Sequence, residues 1–193
     1  MKDLKIQDIP KIHSEILDKC MEIEFHMPSD LYIGTLLKTL ISSKPKAKIL
    51  ELGTGIGLSL SWMVDGMDED SKLITVDNDP KLIRIAKSYF GNDKRVEIVC
   101  QDGSEWIESY RSDKFDLIFA DTWPGKFRNI DEVLELVKIG GFYVIDDMSP
   151  KPNWPEGHQE KVTSLIDYLD NREDFNLSKI DWSTGVVLAV RKY

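Results

Sequence analysis

Five short β-rich runs alternate with helix-like segments along the middle of this 193-residue sequence, and this alternation constrains the fold more than any other feature. The β-rich runs are Ala47–Leu52, Lys72–Val76, Arg95–Cys100, Phe115–Ala120 and Gly141–Ile145. The helix-like segments are Leu58–Val64, Pro80–Phe90, Ser104–Ser109 and Ile130–Val137. Strands that are joined through helices run parallel in one sheet, with helices on both faces. The pattern therefore predicts an α/β fold with a mostly parallel sheet.

Both ends of the chain add elements to this pattern. Apolar residues between Ile9 and Ile23 recur at helical spacing, and Asp30 has the position of an N-cap for a second helix. After the fifth strand, a helix at His158–Leu169 precedes β-like runs at Phe175–Asp181 and Gly185–Arg191, which predict a hairpin. No linker-like stretch divides the chain. We therefore expect one domain over residues 1–193, with residues 1–44 as an N-terminal helical extension.

Each of the five β-rich runs ends on, or just before, an acidic residue. These residues are Glu51, Asp77, Asp102, Asp121 and the pair Asp146-Asp147. The carboxyl ends of the strands in an open α/β sheet share one edge, where the ligand crevice lies. Five acidic strand ends at one edge favour a functional site there over five unrelated loop starts.

The first strand runs into a glycine-rich turn, and its spacing decides between several ligand classes. Gly53, Gly55 and Gly57 permit positive φ and a close approach of the backbone to a ligand. A P-loop is excluded because no Gly-Lys-Ser/Thr follows. A dinucleotide site is disfavoured because Leu58 stands where its third glycine belongs, and because a pyrophosphate would face Glu51. A cationic ligand suits this acidic edge better.

Composition excludes several other functions. The chain has 25 Lys and Arg against 34 Asp and Glu, a net charge of −9, which argues against a nucleic-acid partner. Its apolar runs fall short of the ~20 residues of a membrane helix, and Met1–Lys5 shows no apolar signal core. Cys20 and Cys100 have no metal-binding spacing, and we expect Cys100 in the core. We therefore expect a cytoplasmic protein without a membrane partner.

These motifs together resemble those of the class I S-adenosylmethionine-dependent methyltransferases. The segment Glu51–Gly57 resembles their first motif, and Ile74–Asp77 resembles their second, whose acidic residue accepts hydrogen bonds from both ribose hydroxyls. Gln101–Gly103 resembles their adenine-side motif. The resemblance implies S-adenosyl-L-methionine as the cofactor. It also implies a Rossmann-like seven-stranded sheet of order 3-2-1-4-5-7-6 with the last strand antiparallel, and an extension (residues 1–44) packed near the cofactor site. The cofactor-binding candidates are Glu51, Gly53, Gly55, Gly57, Ser59, Asp77, Asp102, Gly103 and Asp121.

Within that superfamily the sequence is most similar to the catechol-type, metal-dependent O-methyltransferases. Phe119–Trp123 resembles their fourth-strand motif, and Gly140–Asp147 resembles their Gly-Gly-strand-Asp-Asn segment. The resemblance implies a site for Mg²⁺ or another divalent cation formed by Asp121, Asp146 and Asp147, and carboxylate oxygens suit such hard cations. It also implies that Ser59 meets the methionine carboxylate. The catalytic candidates are Asp121 and Lys126. Lys126 stands two residues after the family's lysine position and is the candidate general base if its loop turns inward. A solvated loop lysine, with the metal alone activating the hydroxyl, is left open.

The expected activity is methyl transfer to a hydroxyl of a small molecule with metal assistance, and a homodimer is left open. This chain has Pro124 where the family has its catalytic lysine, and Asp147 where the family has asparagine. These two positions keep two alternatives open. One is a metal-independent methyltransferase that acts on nitrogen or another acceptor. The other is a non-catalytic protein that binds S-adenosylmethionine, and a dinucleotide oxidoreductase ranks behind both.

Overall fold

The computed structural model describes residues 6–151 and 154–193, so Met1–Lys5 of the expected extension lie outside the described residues. The strands are β1 (Lys48–Leu52), β2 (Lys72–Asp77), β3 (Val96–Cys100), β4 (Phe115–Ala120), β5 (Val137–Ile145), β6 (Phe175–Ile180) and β7 (Val186–Arg191). The helices are α1 (His13–Glu22), α2 (Leu31–Ser42), α3 (Leu58–Gly66), α4 (Pro80–Phe90), α5 (Gly103–Ser109), α6 (Ile130–Glu135) and α7 (His158–Asp170). None of these helices combines the length and the apolar character that crossing a membrane requires.

The seven strands form one sheet in the order β3-β2-β1-β4-β5-β7-β6. Strands β1 to β5 pair in parallel, and β7 lies antiparallel between β5 and β6. This arrangement confirms the predicted strand order and the antiparallel last strand. Strands β2 and β3 are added on one side of β1, and the next strand, β4, lies on its other side. The carboxyl ends of β1 and β4 flank that switch point, where open α/β sheets bind ligands.

Alternating side chains of each central strand pack into two separate hydrophobic clusters. In β1, Leu50 and Leu52 join the cluster that contains residues of α5, α6 and α7, whereas Ile49 joins the cluster that contains residues of α1 to α4. Ile118 and Phe119 of β4 divide in the same way. Successive side chains of a strand point to opposite faces, so a strand that is covered on both faces reads as a continuous apolar run. This explains why the central strands lack the polar alternation of a half-exposed sheet.

Two local features differ from the sequence-based expectations. Strand β5 begins at Val137 rather than at residue 141, because its register against β4 shifts between Phe115 and Leu117 and the two glycines are accommodated within the strand. Helix α6 is correspondingly shorter than expected. The expectation that Cys100 lies in the core is wrong, because it ends β3 at the edge of the sheet and is exposed.

The helices of the N-terminal extension pack on the face of the sheet that α3 covers. The predicted N-cap is confirmed, since Asp30 Oδ1 accepts hydrogen bonds from the backbone N–H groups of Tyr32 at 2.7 Å and Ile33 at 3.0 Å. One turn later, Gly34 lies directly against the ring of the buried Trp62 of α3. The missing side chain of Gly34 is therefore what lets α2 and α3 approach each other.

We predict that Gly34→Ala destabilises the protein. Alanine normally stabilises a helix by about 1 kcal/mol relative to glycine. Here an added Cβ would lie 2.5 Å from Trp62 Nε1, and overpacking of this kind costs about 1–3 kcal/mol. Thr39→Ala, at an exposed position of the same helix, serves as the control and should change stability by less than about 0.5 kcal/mol. Urea unfolding of both variants measures the difference. A Gly34→Ala variant as stable as the parent would contradict the close contact.

Candidate functional site

The turn between β1 and α3 brings the backbone close to the end of β4. Gly53 has a φ of +103° and Gly57 a φ of +100°, a region that residues with a Cβ rarely adopt. A Cβ on Gly53 would lie 2.8 Å from the backbone oxygen of Asp121. Glycine is therefore required at position 53 both for the backbone conformation and for the contact with the segment that follows β4.

Asp77 ends β2 and connects this strand to the glycine-rich turn. Its Oδ2 accepts a hydrogen bond from the backbone N–H of Gly55, and its Oδ1 accepts one from the backbone N–H of Asp79, both at 2.9 Å. A carboxylate oxygen has two acceptor positions, so this partly buried group retains capacity for a ligand hydroxyl. The structure thus places Asp77 beside the turn, and its role as the ribose acceptor stays a prediction.

The adenine-side motif lies at the start of α5, next to the segment after β4. Asp102 Oδ1 caps this helix by accepting hydrogen bonds from the backbone N–H groups of Ser104 at 2.9 Å and Glu105 at 3.2 Å. Gly103 is buried, and a Cβ there would lie 2.8 Å from Cβ of Pro124. The motif after β3 and the loop after β4 therefore contact each other, as the two sides of one crevice would.

Glu51 is fully buried and is held by two hydroxyl groups. Ser59 Oγ donates to its Oε1 at 2.5 Å, and Thr75 Oγ1 donates to its Oε2 at 2.6 Å. Burial raises the pKa of Glu51 to about 7, although the two hydroxyl donors act in the opposite direction. Ser59, the predicted partner of the methionine carboxylate, thus directs its hydroxyl proton to Glu51 in this structure.

Three carboxylates meet at the ends of β4 and β5. Asp121, Asp146 and Asp147 each place one carboxylate oxygen so that all three oxygens lie within 4.8 Å of one another. Asp146 is 4% exposed, and its Oδ1 has no hydrogen-bond partner among the described residues. A buried acceptor without a donor is rare, and it marks a position where a cation or a ligand donor fits. The structure therefore brings together the three residues predicted as metal ligands.

Burial and mutual repulsion disfavour the charged forms of this cluster. Burial raises the pKa of Asp121 to about 6, against the opposing effects of a hydrogen bond with Asp146 and the charge of Lys126, and the charges of Asp147 and Glu51 raise it further. The pKa of Asp146 is also raised, by burial first and then by the charges of Asp121 and Asp147. Like charges at this distance favour protonation of one group or binding of a cation.

Lys126 points into the protein towards this cluster. Gly125 has a φ of +81°, and the backbone N–H groups of Lys126, Phe127 and Arg128 all donate to the carbonyl oxygen of Trp123. This tight turn buries Lys126 to 5% exposure, and its Nζ donates a hydrogen bond to the backbone oxygen of Asp146 at 2.6 Å. The lysine therefore reaches the cluster from a different position in the sequence than in the related family, and its role as a base stays a prediction.

Two contacts of the cluster were not predicted from the sequence. Ser29, just before α2, donates a hydrogen bond from Oγ to Asp121 Oδ2 at 3.3 Å. Lys151 Nζ forms an ion pair with Asp147 Oδ1. Neither contact has a local signal, because a spacing of four residues brings side chains together on a helix and Asp147–Lys151 is not helical, and because Ser29 and Asp121 are 92 residues apart.

Comparison with known proteins identifies a family for nearly the whole chain. Residues 14–192 match the family model described as O-methyltransferase. A protein of Mycobacterium leprae that is named as a candidate O-methyltransferase is 30% identical over 170 residues, which cover 83% of this chain and 76% of the relative. A similarly named protein of Mycobacterium ulcerans is 26% identical over 169 residues, which cover 82% of this chain and 75% of that protein.

Solved structures share the fold at lower sequence identity. The O-methyltransferase TomG of Streptomyces achromogenes, solved with S-adenosylmethionine, superposes with a TM-score of 0.84 at 22% identity and covers 99% of this chain and 93% of its own. An O-methyltransferase of Bacillus cereus, solved with S-adenosylhomocysteine, superposes with a TM-score of 0.81 at 20% identity, with coverages of 98% and 94%. Both similarities support the methyltransferase form of the Rossmann-like sheet.

We predict that Glu51→Gln stabilises the ligand-free protein at pH 8 more than at pH 5. Because the folded-state pKa is about 7 and the ordinary value is 4.5, folding loses free energy as the pH rises between those values. The neutral glutamine avoids that loss, which amounts to about 3 kcal/mol at ~1.4 kcal/mol per pKa unit. Urea unfolding at both pH values measures the difference between variant and parent.

The matched control for this prediction is Glu97→Gln, an exposed glutamate of β3. Its difference from the parent should be the same at pH 5 and pH 8. A Glu51→Gln difference that is also independent of pH would contradict the raised pKa.

Proposed function

We propose, because this chain belongs to the O-methyltransferase family, that it transfers the methyl group of S-adenosylmethionine to a hydroxyl of a small molecule with the assistance of a divalent cation. Its membership makes it an S-adenosylmethionine-dependent methyltransferase. The observation that carries the rest of the proposal is the convergence of Asp121, Asp146 and Asp147. These groups lie at the edge of the sheet where the glycine-rich turn also lies.

The residues of the cluster fit a divalent cation. All three ligand groups are carboxylates, which suit hard cations such as Mg²⁺, and Oδ1 of Asp146 is buried without a hydrogen-bond partner among the described residues. When bound there, such a cation lowers the pKa of a substrate hydroxyl and orients its oxygen. Asp121 and Asp146 would hold it most strongly, because the charge of Asp147 is already shared with Lys151.

The residues around the glycine-rich turn fit S-adenosylmethionine, which supplies an activated methyl group. Asp77 would accept hydrogen bonds from the ribose, and Asp102 and Gly103 would border the adenine. The positive φ of Gly53, Gly55 and Gly57 would give the turn its course beside the cofactor. Glu51 and Ser59 form a buried pair beneath this turn, and their role would be to hold it in place for the cofactor's methionine end.

The chain's own contribution to the chemistry is orientation and proton transfer. Methyl transfer is a direct displacement, so alignment of the acceptor oxygen with the methyl carbon and the sulfur supplies much of the acceleration. Lys126 would accept the proton of the acceptor hydroxyl at Nζ, from its position on the backbone of Asp146. The close turn after Trp123 holds the lysine there and excludes water from its stem.

A metal-independent methyltransferase is the second candidate, and one observation favours it. Lys151 pairs with Asp147, and the charge of Lys126 acts on both Asp121 and Asp146. Two lysines thus offset part of the charge that a cation would otherwise neutralise. The response of the protein to Mg²⁺ distinguishes the two candidates.

We predict that Asp77→Ala weakens the binding of S-adenosylhomocysteine at least tenfold. Hydrogen bonds to a charged acceptor contribute roughly 1.5–3 kcal/mol each, and alanine removes both oxygens. Calorimetric titration measures the affinity, and Asp77→Asn, which retains one acceptor oxygen, should fall between alanine and the parent. Asp70→Ala removes an equal charge from the exposed turn before β2 and should bind as the parent does. Parent-like affinity in a folded Asp77→Ala variant would exclude the ribose assignment.

We predict that Asp146→Asn raises the melting temperature of the protein in EDTA at pH 8. We also expect Mg²⁺ to raise the melting temperature of the parent but not that of this variant. The variant removes a buried charge that two carboxylates repel, and each kcal/mol corresponds to about 2–4 °C in a chain of this size. Asp147→Asn, the matched variant, should keep both the Mg²⁺ response and metal-dependent activity. If the parent does not respond to Mg²⁺, the metal-independent candidate is favoured instead.

A further inference from the structure

A cavity of about 520 Å³ lies between the segment that follows β4 and helix α7. Its apolar wall consists of Trp123, Phe127, Ile130, Leu165 and Tyr168. Small-molecule sites have volumes of roughly 300–1,000 Å³, and aromatic walls of this kind accommodate a flat ring. The size and the lining of the cavity therefore suit one substituted aromatic ring.

Lys126 lies between this cavity and the carboxylate cluster. Lys126 lines the cavity, and its Nζ also donates to the backbone oxygen of Asp146. Trp123, on the cavity wall, is two residues after Asp121 of the cluster. Lys126 therefore connects the cavity to the end of β5, where the cluster lies.

The charge of the cavity is opposite to that of the protein as a whole. Three cations, Lys126, Arg128 and Lys161, line it together with the single carboxylate of Glu160, in a chain with a net charge of −9. Lys161 Nζ lies 4.0 Å from the centroid of the Trp123 ring, and Arg128 Cζ lies 5.6 Å from the same centroid. Two exposed cations thus gather at one indole on the cavity wall.

Neither Arg128 nor Lys161 is committed to an anion of the protein. Within residues 6–151 and 154–193, no carboxylate oxygen lies within 4.0 Å of either charged group. An exposed cation–π contact is weaker than a charge-assisted hydrogen bond to an anion, so both side chains can exchange the indole for an anionic group. Lys126 differs, because its Nζ already donates a hydrogen bond to the backbone oxygen of Asp146.

Two hydroxyl groups, those of Ser164 and Tyr168, also line the cavity, and neither carries a positive charge. The hydroxyl of Tyr168 donates to Asp131 and accepts a hydrogen bond from Arg172 at 2.7 Å. It is therefore engaged at the far side of the cavity. The positive charge of the cavity that no carboxylate of the described residues pairs with is concentrated at Arg128 and Lys161.

We propose that this cavity binds the methyl acceptor and that Arg128 and Lys161 bind an anionic substituent on it. The acceptor would then be an aromatic ring with a hydroxyl at one end and a carboxylate or phosphate at the other. The ring lies against Trp123 and Phe127, and the hydroxyl faces Asp121 and Asp146. This inference rests on the proposed function, and it assigns Arg128 and Lys161 as residues that determine specificity.

Calorimetric titration of the protein loaded with S-adenosylhomocysteine and Mg²⁺ tests this proposal. The probes are 3,4-dihydroxybenzoate, its neutral amide of nearly equal size, and 3,4-dihydroxybenzylphosphonate. We expect at least one of the two anions to bind tenfold or more tightly than the amide, and the tighter of the two distinguishes carboxylate from phosphate. In the double variant Arg128→Gln/Lys161→Gln this preference should fall below threefold.

The matched control is Arg84→Gln/Lys87→Gln, which removes the same two charge types from exposed positions of α4. It should keep the tenfold preference. Equal binding of anions and amide by the parent, absence of anion binding, or an equal loss of preference in the control would each overturn the proposal. Methyl transfer to the same three probes is measured separately. A charge preference without any transfer would contradict the proposed function and leave the anion site standing.

Discussion

Parallel register between β1, β4 and β5 forces buried carboxylates into proximity, and the functional edge of this protein depends on that constraint. Glu51 pairs with Phe119, and Ala120 pairs with Ile145, so Asp121 and Asp146 are the next residues on adjacent strands. Charged groups that leave water lose solvation free energy, which a protein interior restores only through donors or opposite charges. The arrangement is therefore unfavourable for the fold alone. The hydrogen bonds and ion pairs that each carboxylate receives show which of these groups are satisfied without a ligand.

Compensation is nearly complete at Glu51 and incomplete at Asp146. Glu51 accepts two hydroxyl hydrogen bonds, and Asp147 has an ion pair with Lys151. Asp146 retains an oxygen without a donor, although it is almost fully buried and faces two other carboxylates. Sites that sacrifice stability in this way are typical of functional positions. The incompletely compensated carboxylate is thus that of Asp146, whose backbone oxygen binds Lys126.

The sequence predicted those parts of the site that depend on local pattern and on strand ends. Strand periodicity located the five acidic termini, and the glycine spacing identified the turn after β1. Lys126 was harder to place, because its inward direction depends on three backbone donors that converge on the carbonyl of Trp123. The link from Ser29 to Asp121 joins residues 92 positions apart and has no local signal. The exposure of Cys100 follows from the position of β3 at the edge of the sheet, which hydrophobicity alone does not reveal.

Asp147 stands where the related family has asparagine, and its backbone conformation is one that both residues adopt. Its φ is +54°, in the left-handed region that aspartate and asparagine adopt more readily than other residues with a side chain. Either residue can therefore follow β5 in this conformation, so the asparagine of the related family and the aspartate here are equivalent for the backbone. The difference between them is one negative charge, and Lys151 lies four residues later and pairs with it. The departure at Asp147 is therefore one of charge rather than of backbone preference, and Lys151 supplies a local counter-charge.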